Sequence, residues 1–290
     1  MSGLLWWWVL LVIFLSMCFG FVGWWWCWWR GRKRNNRVED LQQYSVIFAG
    51  TCRNVESFLP SVLEHIDTCG SMFGKYAVVI YENDSADATR SILIDHAESR
   101  SEIYSLILED GIDEKEPRRT MRLERGRNLI LDKVHEINAQ NEYDFLIVLD
   151  LDNVNSSGRF VQTIGSCFQY EDDDWDVLTA NQQRGYYYDI WALRKRPDLN
   201  YDFARHQPQP GGEDRSMFYL QFNPNETPDL VEVDSAFGGI AIYRLSTLPK
   251  ICRYQGKYKD GGEKCEHVDF NQCLRDHGNK IFINKQFFTY

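Results

Sequence analysis

From Ser45 onward the chain alternates between two patterns of apolar spacing. Ser45–Gly50 (SVIFAG), Tyr76–Tyr81 (YAVVIY), Ile103–Leu108 (IYSLIL) and Phe145–Leu149 (FLIVL) are short runs with almost no polar interruption. A strand covered on both faces has this signature. Between the runs, apolar residues recur every three or four positions. Phe58, Val62, Leu63 and Ile66 do so within Val55–Cys69, Ile92, Leu93 and Ala97 within Ala88–Ala97, and Ile130, Val134 and Ile137 within Arg118–Ala139. These stripes predict helices. Strand following helix in regular order predicts an α/β fold, with a mostly parallel sheet flanked by helices on both faces.

Past Asn155 the rhythm loosens. Short strands are expected at Val177–Ala180, Asp189–Leu193 and Val231–Tyr243, a helix at Cys265–His277 and a last strand at Lys280–Phe288. Polar, Pro- and Gly-rich stretches such as Gln207–Arg215 separate them. The change marks two subregions, 44–155 and 156–290, of one domain.

The amino terminus has a different pattern. Leu4 to Trp29 carries no charge and is long enough to cross a bilayer. Eight of the ten tryptophans lie here, in clusters at Trp6–Trp8 and Trp24–Trp29. The cluster centres are about 19 residues apart, roughly 28 Å of helix, which matches the apolar thickness of a membrane. Indole rings at both interfaces form an aromatic belt. A removed leader would need a basic start and a small-residue end, and neither is present. Residues 1–29 are therefore expected to be one retained transmembrane helix and 30–43 a basic juxtamembrane linker.

Arg30, Arg32, Lys33, Arg34 and Arg37 all follow the span, which by the positive-inside rule puts the domain on the cytosolic face. A Golgi or ER lumen is the alternative. Sequons at Asn83, Asn155 and Asn225 bear on the choice, since glycans at the first two would block the motifs described below. Without those five basic residues, 27 basic stand against 42 acidic residues, a net charge of −15. A nucleic-acid partner is excluded on that ground. The six domain cysteines show no Cys-x-x-Cys spacing, so they are expected as buried free thiols rather than a zinc site; six could also pair in a lumen.

The fourth apolar run delivers Asp150 and Asp152 at i and i+2, on one side of a strand's carboxyl end. Open α/β sheets bind ligands at that end. Two hard oxygen donors there suit Mg²⁺ or Mn²⁺ against a diphosphate. Asp172/Asp174 and Asp174/Asp176 have the same spacing but no strand before them. A helix-loop-helix calcium site is excluded, because Val154 and Asn155 stand where an oxygen donor and a glycine are needed. The run also fits the Asp-x-Asp of haloacid-dehalogenase phosphatases, with Asp150 as nucleophile. That motif ends the first strand of its domain, whereas here about three strand-helix units precede it.

Six segments in order, AGTCRNVESFLPSVL, VVIYENDSADAT, RGRNLIL, FLIVLDLDNVN, VDSAFGGIAIY and CEHVDF, resemble GT-A-fold, Rossmann-related glycosyltransferases. The similarity is to the fungal capsule-associated α-1,3-mannosyltransferase family and related viral and protist enzymes, and covers about Ser45 to Phe288. One departure is the metal segment, often composed differently in that family. The resemblance implies a nucleotide diphosphate sugar donor, a glycan or glycoconjugate acceptor, and a hexose, with mannose one candidate, as the transferred group.

It also implies roles for residues. Ala49, Gly50, Thr51 and Arg53 would approach the nucleotide, and Glu82, Asn83 and Asp84 the base or ribose; Asp84 could equally cap a helix. Arg118, Arg119, Arg122, Arg125 and Arg127 crowd one segment, from which Arg127 with Asn128, and at most one other arginine, is expected at the diphosphate. Gly238 and Gly239 would lie near the donor sugar. Asp150, Asp152 and His267 would hold the metal, with Glu266 and Asp269 as catalytic carboxylates. Asp189 and Trp191 are candidates for the acceptor groove. A membrane-tethered carbohydrate-binding protein without turnover is the non-enzymatic alternative.

Overall fold

The computed structural model describes residues 40–170, 174–182, 187–195 and 229–289. The expected membrane span, the Gln207–Arg215 stretch and the Asn225 sequon lie outside the described residues. Among those described, no helix is long and apolar enough to cross a membrane.

The described strands form one eight-stranded sheet: β1 (Ser45–Cys52), β2 (Lys75–Asn83), β3 (Tyr104–Glu109), β4 (Phe145–Leu149), β5 (Val177–Asn181), β6 (Leu230–Val233), β7 (Ile240–Arg244) and β8 (Ile281–Phe288). Their order is β3-β2-β1-β4-β7-β5-β8-β6. The half built from β1 to β4 is parallel, as the strand-helix rhythm predicts. The other half corrects the expectation. There β7 runs antiparallel to both β4 and β5, and β6 antiparallel to β8, so the sheet is mixed.

Helices α1 (Leu59–Gly70), α2 (Thr89–Glu98), α3 (Ile112–Lys115), α4 (Arg119–Asn141), α5 (Arg159–Thr163) and α6 (His267–Asp276) flank the sheet. Alternate residues of each central strand enter opposite cores. Val46, Phe48, Phe145 and Ile147 pack with Leu59, Val62, Leu63 and Ile66 of α1. Ile47, Ala49, Leu146 and Val148 pack on the other face with Ile130, Leu131 and Val134 of α4 and Phe270 and Leu274 of α6. Burial on both faces is why these strands read as unbroken apolar runs.

Two expected strands differ. Val231–Tyr243 is two strands, broken between Asp234 and Gly239 because Gly238 and Gly239 adopt φ of +70° and +86°. Asp189–Leu193 is a turn, its backbone folded so that the Asp189 carboxylate accepts from the Ala192 N–H at 3.3 Å. The cysteines divide: Cys252 and Cys273 form a disulfide, against the expectation of free thiols throughout. Cys52, Cys69, Cys167 and Cys265 are free and buried.

Candidate active site

β4 ends at Leu149, and the chain turns into a cleft of about 210 Å³ at the carboxyl ends of β1, β2 and β4. Its lining includes Thr51, Arg53, Tyr81, Asn83, Arg119, Arg122, Asp150 and Asp152. The two aspartates therefore share one cavity, as the period of the strand requires. Their backbone is held from the neighbouring antiparallel strand. Asp150 N–H donates to the Gly239 carbonyl at 2.9 Å. Asn155, fully buried, donates through Nδ2 to the carbonyls of Asp150 and Gly239, both at 2.8 Å. Asp152 accepts from Val154 N–H at 3.0 Å, capping the 3₁₀ turn Asn153–Asn155. The asparagines of the Asn155 and Asn83 sequons are thus buried in the folded domain.

Behind Asp150 lies Arg127 of α4, a buried guanidinium. Its Nε donates to Glu266 at 2.8 Å and its Nη2 to Asp150 at 3.1 Å. The rings of Phe237 and Tyr254 lie 5.1 and 5.8 Å from it. Burial pushes the Asp150 carboxyl up to about 7; Arg127 opposes this, while Asp152, Asp189 and Glu266 add to it. Asp189 is likewise raised, first by burial. Asp150 thus sits among three further carboxylates, with Arg127 the guanidinium bonded to it. That surplus of negative charge, carried on hard oxygen donors, fits a divalent cation, with Asp150 and Asp152 as the ligands that face the cleft.

His267 does not join them. Its ring stacks on Phe237, centroids 3.9 Å apart, and both nitrogens are buried without a hydrogen bond among the described residues. Its Nε2 lies 3.6 Å from Glu266. Burial, and then the Arg127 charge, lower its pKa well below the ordinary value, so the ring is neutral. Among the described residues, the one group of three acidic, His or Cys ligand atoms within 4.8 Å of one another is Cys252, Cys273 and His277, two of them joined as a disulfide. Asp150, Asp152 and His267 therefore do not converge as expected.

The other expected site residues separate into two sets. Thr51, Arg53 and Asn83 line the cleft with the aspartates. Ala49 and Gly50 are buried within β1, and a Cβ at Gly50 would stand 2.6 Å from the Leu149 carbonyl. Glu82 is buried and turned away, accepting from Ser85 N–H at 2.9 Å and pairing with Arg90. Asp84 accepts from the backbone N–H groups of Gly111, Ile112 and Asp113 at 2.6, 2.8 and 3.0 Å, so it caps the distant α3 and not the helix that follows it in sequence, which was its expected alternative. Asn128 exchanges two hydrogen bonds of 3.0 Å with the backbone of Tyr254. Gly238 and Gly239 form a buried turn, where a Cβ on Gly238 would meet the Ala180 carbonyl at 2.5 Å. Asp269 is paired with Lys264 at 2.5 Å. Glu266 is buried beside Arg127, the expected catalytic carboxylate that does adjoin the aspartates.

Sequence reasoning favours Arg127 from the arginine cluster, whereas Arg119 and Arg122 are the members that line the cleft. Arg118 is bonded to Glu116, and Arg125 reaches Glu109 through two bonds of 2.6 Å. The missed signal is the spacing of three, which puts residues 119 and 122 on one side of the helix start. Tyr81 is also missed by the sequence; its hydroxyl donates to Glu109 at 2.8 Å while its ring borders the cleft.

No family model matches the chain, and no curated protein matches it either. Among solved structures it is similar to the mannosyltransferase PcManGT from Pyrobaculum calidifontis, determined with GDP-Man and Mn²⁺ (13% identity over 95% of this chain and 66% of that one, TM-score 0.49). It is similar to residues 1–349 of S. aureus TarS with UDP-GlcNAc (15% identity, 83% of this chain and 56% of that one, TM-score 0.38). It is also similar to glucosyl-3-phosphoglycerate synthase from Mycobacterium tuberculosis with Mn²⁺, UDP and phosphoglyceric acid (14% identity, 85% of this chain and 72% of that one, TM-score 0.43). The chain spans about two thirds of the length of the first and just over half of the second. Likeness at this level establishes neither family nor reaction.

Proposed function

We propose that this chain is a membrane-anchored, metal-dependent glycosyltransferase that moves a hexose, with mannose one candidate, from a nucleotide diphosphate sugar to a glycan hydroxyl. One observation carries the reading: Asp150 and Asp152 line a single cleft with Arg53, Arg119 and Arg122 at the carboxyl ends of parallel strands. Acids and guanidinium groups around one cavity suit a ligand that is itself a metal-bound diphosphate. Mn²⁺ or Mg²⁺, when bound by Asp150 and Asp152, would offset charge on the departing nucleoside diphosphate. Arg119 offers a planar fork of the kind that binds phosphate oxygens in pairs, while Arg122 lines the cleft with Nη1 committed to the Glu116 and Pro117 carbonyls and Nε beside Asp113. Thr51, Asn83 and Arg53, the last paired with Asp113, line the same cleft as polar groups for the nucleoside. Glu266, in this reading, acts from behind Asp150, buried and held by Arg127.

The anchor in this reading is the apolar segment 1–29. The Cys252–Cys273 disulfide supports the lumenal alternative over the cytosolic face, because disulfides persist in oxidising compartments.

The test is a melting-temperature screen of GDP- and UDP-sugars with and without Mn²⁺, followed by a transfer assay with the stabilising donor. Asp152→Ala is expected to abolish transfer, with a stability loss of about 1 kcal/mol from the missing cap. Transfer that survives this substitution, or that is indifferent to EDTA, refutes the reading. Hydrolysis of simple phosphoesters without transfer would favour a phosphatase using Asp150. Donor binding without turnover would favour a binding protein.

A further inference from the structure

Arg127 is expected at the diphosphate, yet it is buried out of reach of the open cleft and bonded to two acids from distant parts of the chain. Asp150 follows β4, and Glu266 precedes α6, 116 residues later. The guanidinium is the shared element between them. Three features show that the position is built. Gly126, its neighbour on α4, lies so close to Tyr81 that a Cβ would stand 2.4 Å from the ring. The rings of Phe237 and Tyr254 bracket the guanidinium, and Asn128 fixes the Tyr254 backbone from the same helix. Water is largely excluded, so its charge acts on the two carboxylates with little screening.

The pairing is also incomplete. The third nitrogen, Nη1, is buried without a hydrogen-bond partner among the described residues. Only one nitrogen reaches Asp150, at 3.1 Å, so the contact is single and not the two-bond fork that arginine and carboxylate form at their strongest. The bond to Glu266 is the shorter, at 2.8 Å, and both its partners are almost wholly buried. Asp150 keeps 30% of its side chain exposed towards the cleft.

We propose that Arg127 is a positioning residue that acts as the resident counter-ion of this site: anchored on Glu266, it holds Asp150 in place and releases that carboxylate to an incoming divalent cation. This deepens the donor-site reading and rests on it. A resident positive charge makes the metal bind more weakly than the carboxylates alone would allow. In return, the metal-free acids keep their places. Glu266 contributes to metal affinity without touching the metal, because its charge draws the guanidinium away from Asp150.

The test measures Mn²⁺ binding to the full chain in detergent at pH 7.5, from the electron paramagnetic resonance signal of free Mn²⁺. Arg127→Gln is expected to bind Mn²⁺ about tenfold tighter than the unaltered chain while melting at a lower temperature without metal. Glu266→Gln is expected to bind it severalfold more weakly, and Arg127→Lys, which keeps the charge, to stay within about threefold. A merely structural arginine would weaken binding in Arg127→Gln and leave the nearly isosteric Glu266→Gln unchanged. A folded Arg127→Gln chain with equal or weaker affinity overturns the proposal. Should that variant fail to fold, Glu266→Gln decides, unchanged or tighter binding being the refuting result. If the unaltered chain binds no Mn²⁺, the donor-site reading falls and this one with it; if it binds and only the variants disobey, this one alone falls.

Discussion

At the scale of single residues, the site depends on who neutralises whom. Asp150 was legible because an apolar run that ends in two acids sets both carboxylates at a strand's carboxyl end. Glu82 and Asp84 were not, because their partners are Arg90 and the Gly111–Asp113 backbone, groups that only folding brings near. The raised Asp150 carboxyl leads to a prediction. Its pKa rises from an ordinary 3.8 to about 7, first through burial, so the folded chain binds this proton more tightly than the unfolded one. Ionising the group therefore costs stability as pH climbs from about 4 through 7. In EDTA, Asp150→Asn is expected to melt higher relative to the unaltered chain at pH 8 than it does at pH 5. With Mn²⁺ at pH 8 the order should reverse, since in the proposed reading only the aspartate holds the cation. Parallel melting curves under all three conditions would refute the assignment.

At the scale of elements, the parallel half of the sheet could be read from periodicity, and the β6–β7 region could not. β6 and β7 run the same way with β8 and β5 between them, and buried residues continue from one into the other through Ser235, Ala236 and Phe237, so the apolar pattern gives no sign of the break. Two glycines with positive φ make it, and Gly238 N–H donates to Asp189 at 3.0 Å within the turn. Gly238→Ala meets both an unfavourable backbone conformation and the Ala180 carbonyl. We expect it to cost more than about 2 kcal/mol in denaturant unfolding. A loss below about 0.5 kcal/mol would mean the turn relaxes freely. Arg119 and Arg122 belong to this scale too: their approach to the cleft follows from where α4 begins relative to β2, which a helical stripe does not encode.

At the scale of the whole molecule, the disulfide was beyond the reach of spacing. Cys252 and Cys273 stand 21 residues apart with no motif between them. Their bond ties the last turn of α6 to the segment around Tyr254, which Asn128 holds against α4. On a chain-entropy estimate, closing such a loop contributes about 3 kcal/mol. Reduction, or Cys252→Ser, should lower stability by about that amount, measured by urea unfolding. Thiol labelling of the unreduced, unfolded chain should leave these two cysteines unmodified while Cys52, Cys69, Cys167 and Cys265 react. Labelling at all six would remove the support for an oxidising compartment.

The Gly239 carbonyl serves two donors at once, the Asp150 amide and the Asn155 side chain. A peptide oxygen in the β6–β7 connection is thus the gauge against which the acidic pair is set. Anyone redesigning this protein inherits the constraint: adding or deleting one residue in that connection would displace both aspartates, though their own stretch of chain were untouched. Attempts to swap substrate preference by loop grafting should therefore leave it at its present length.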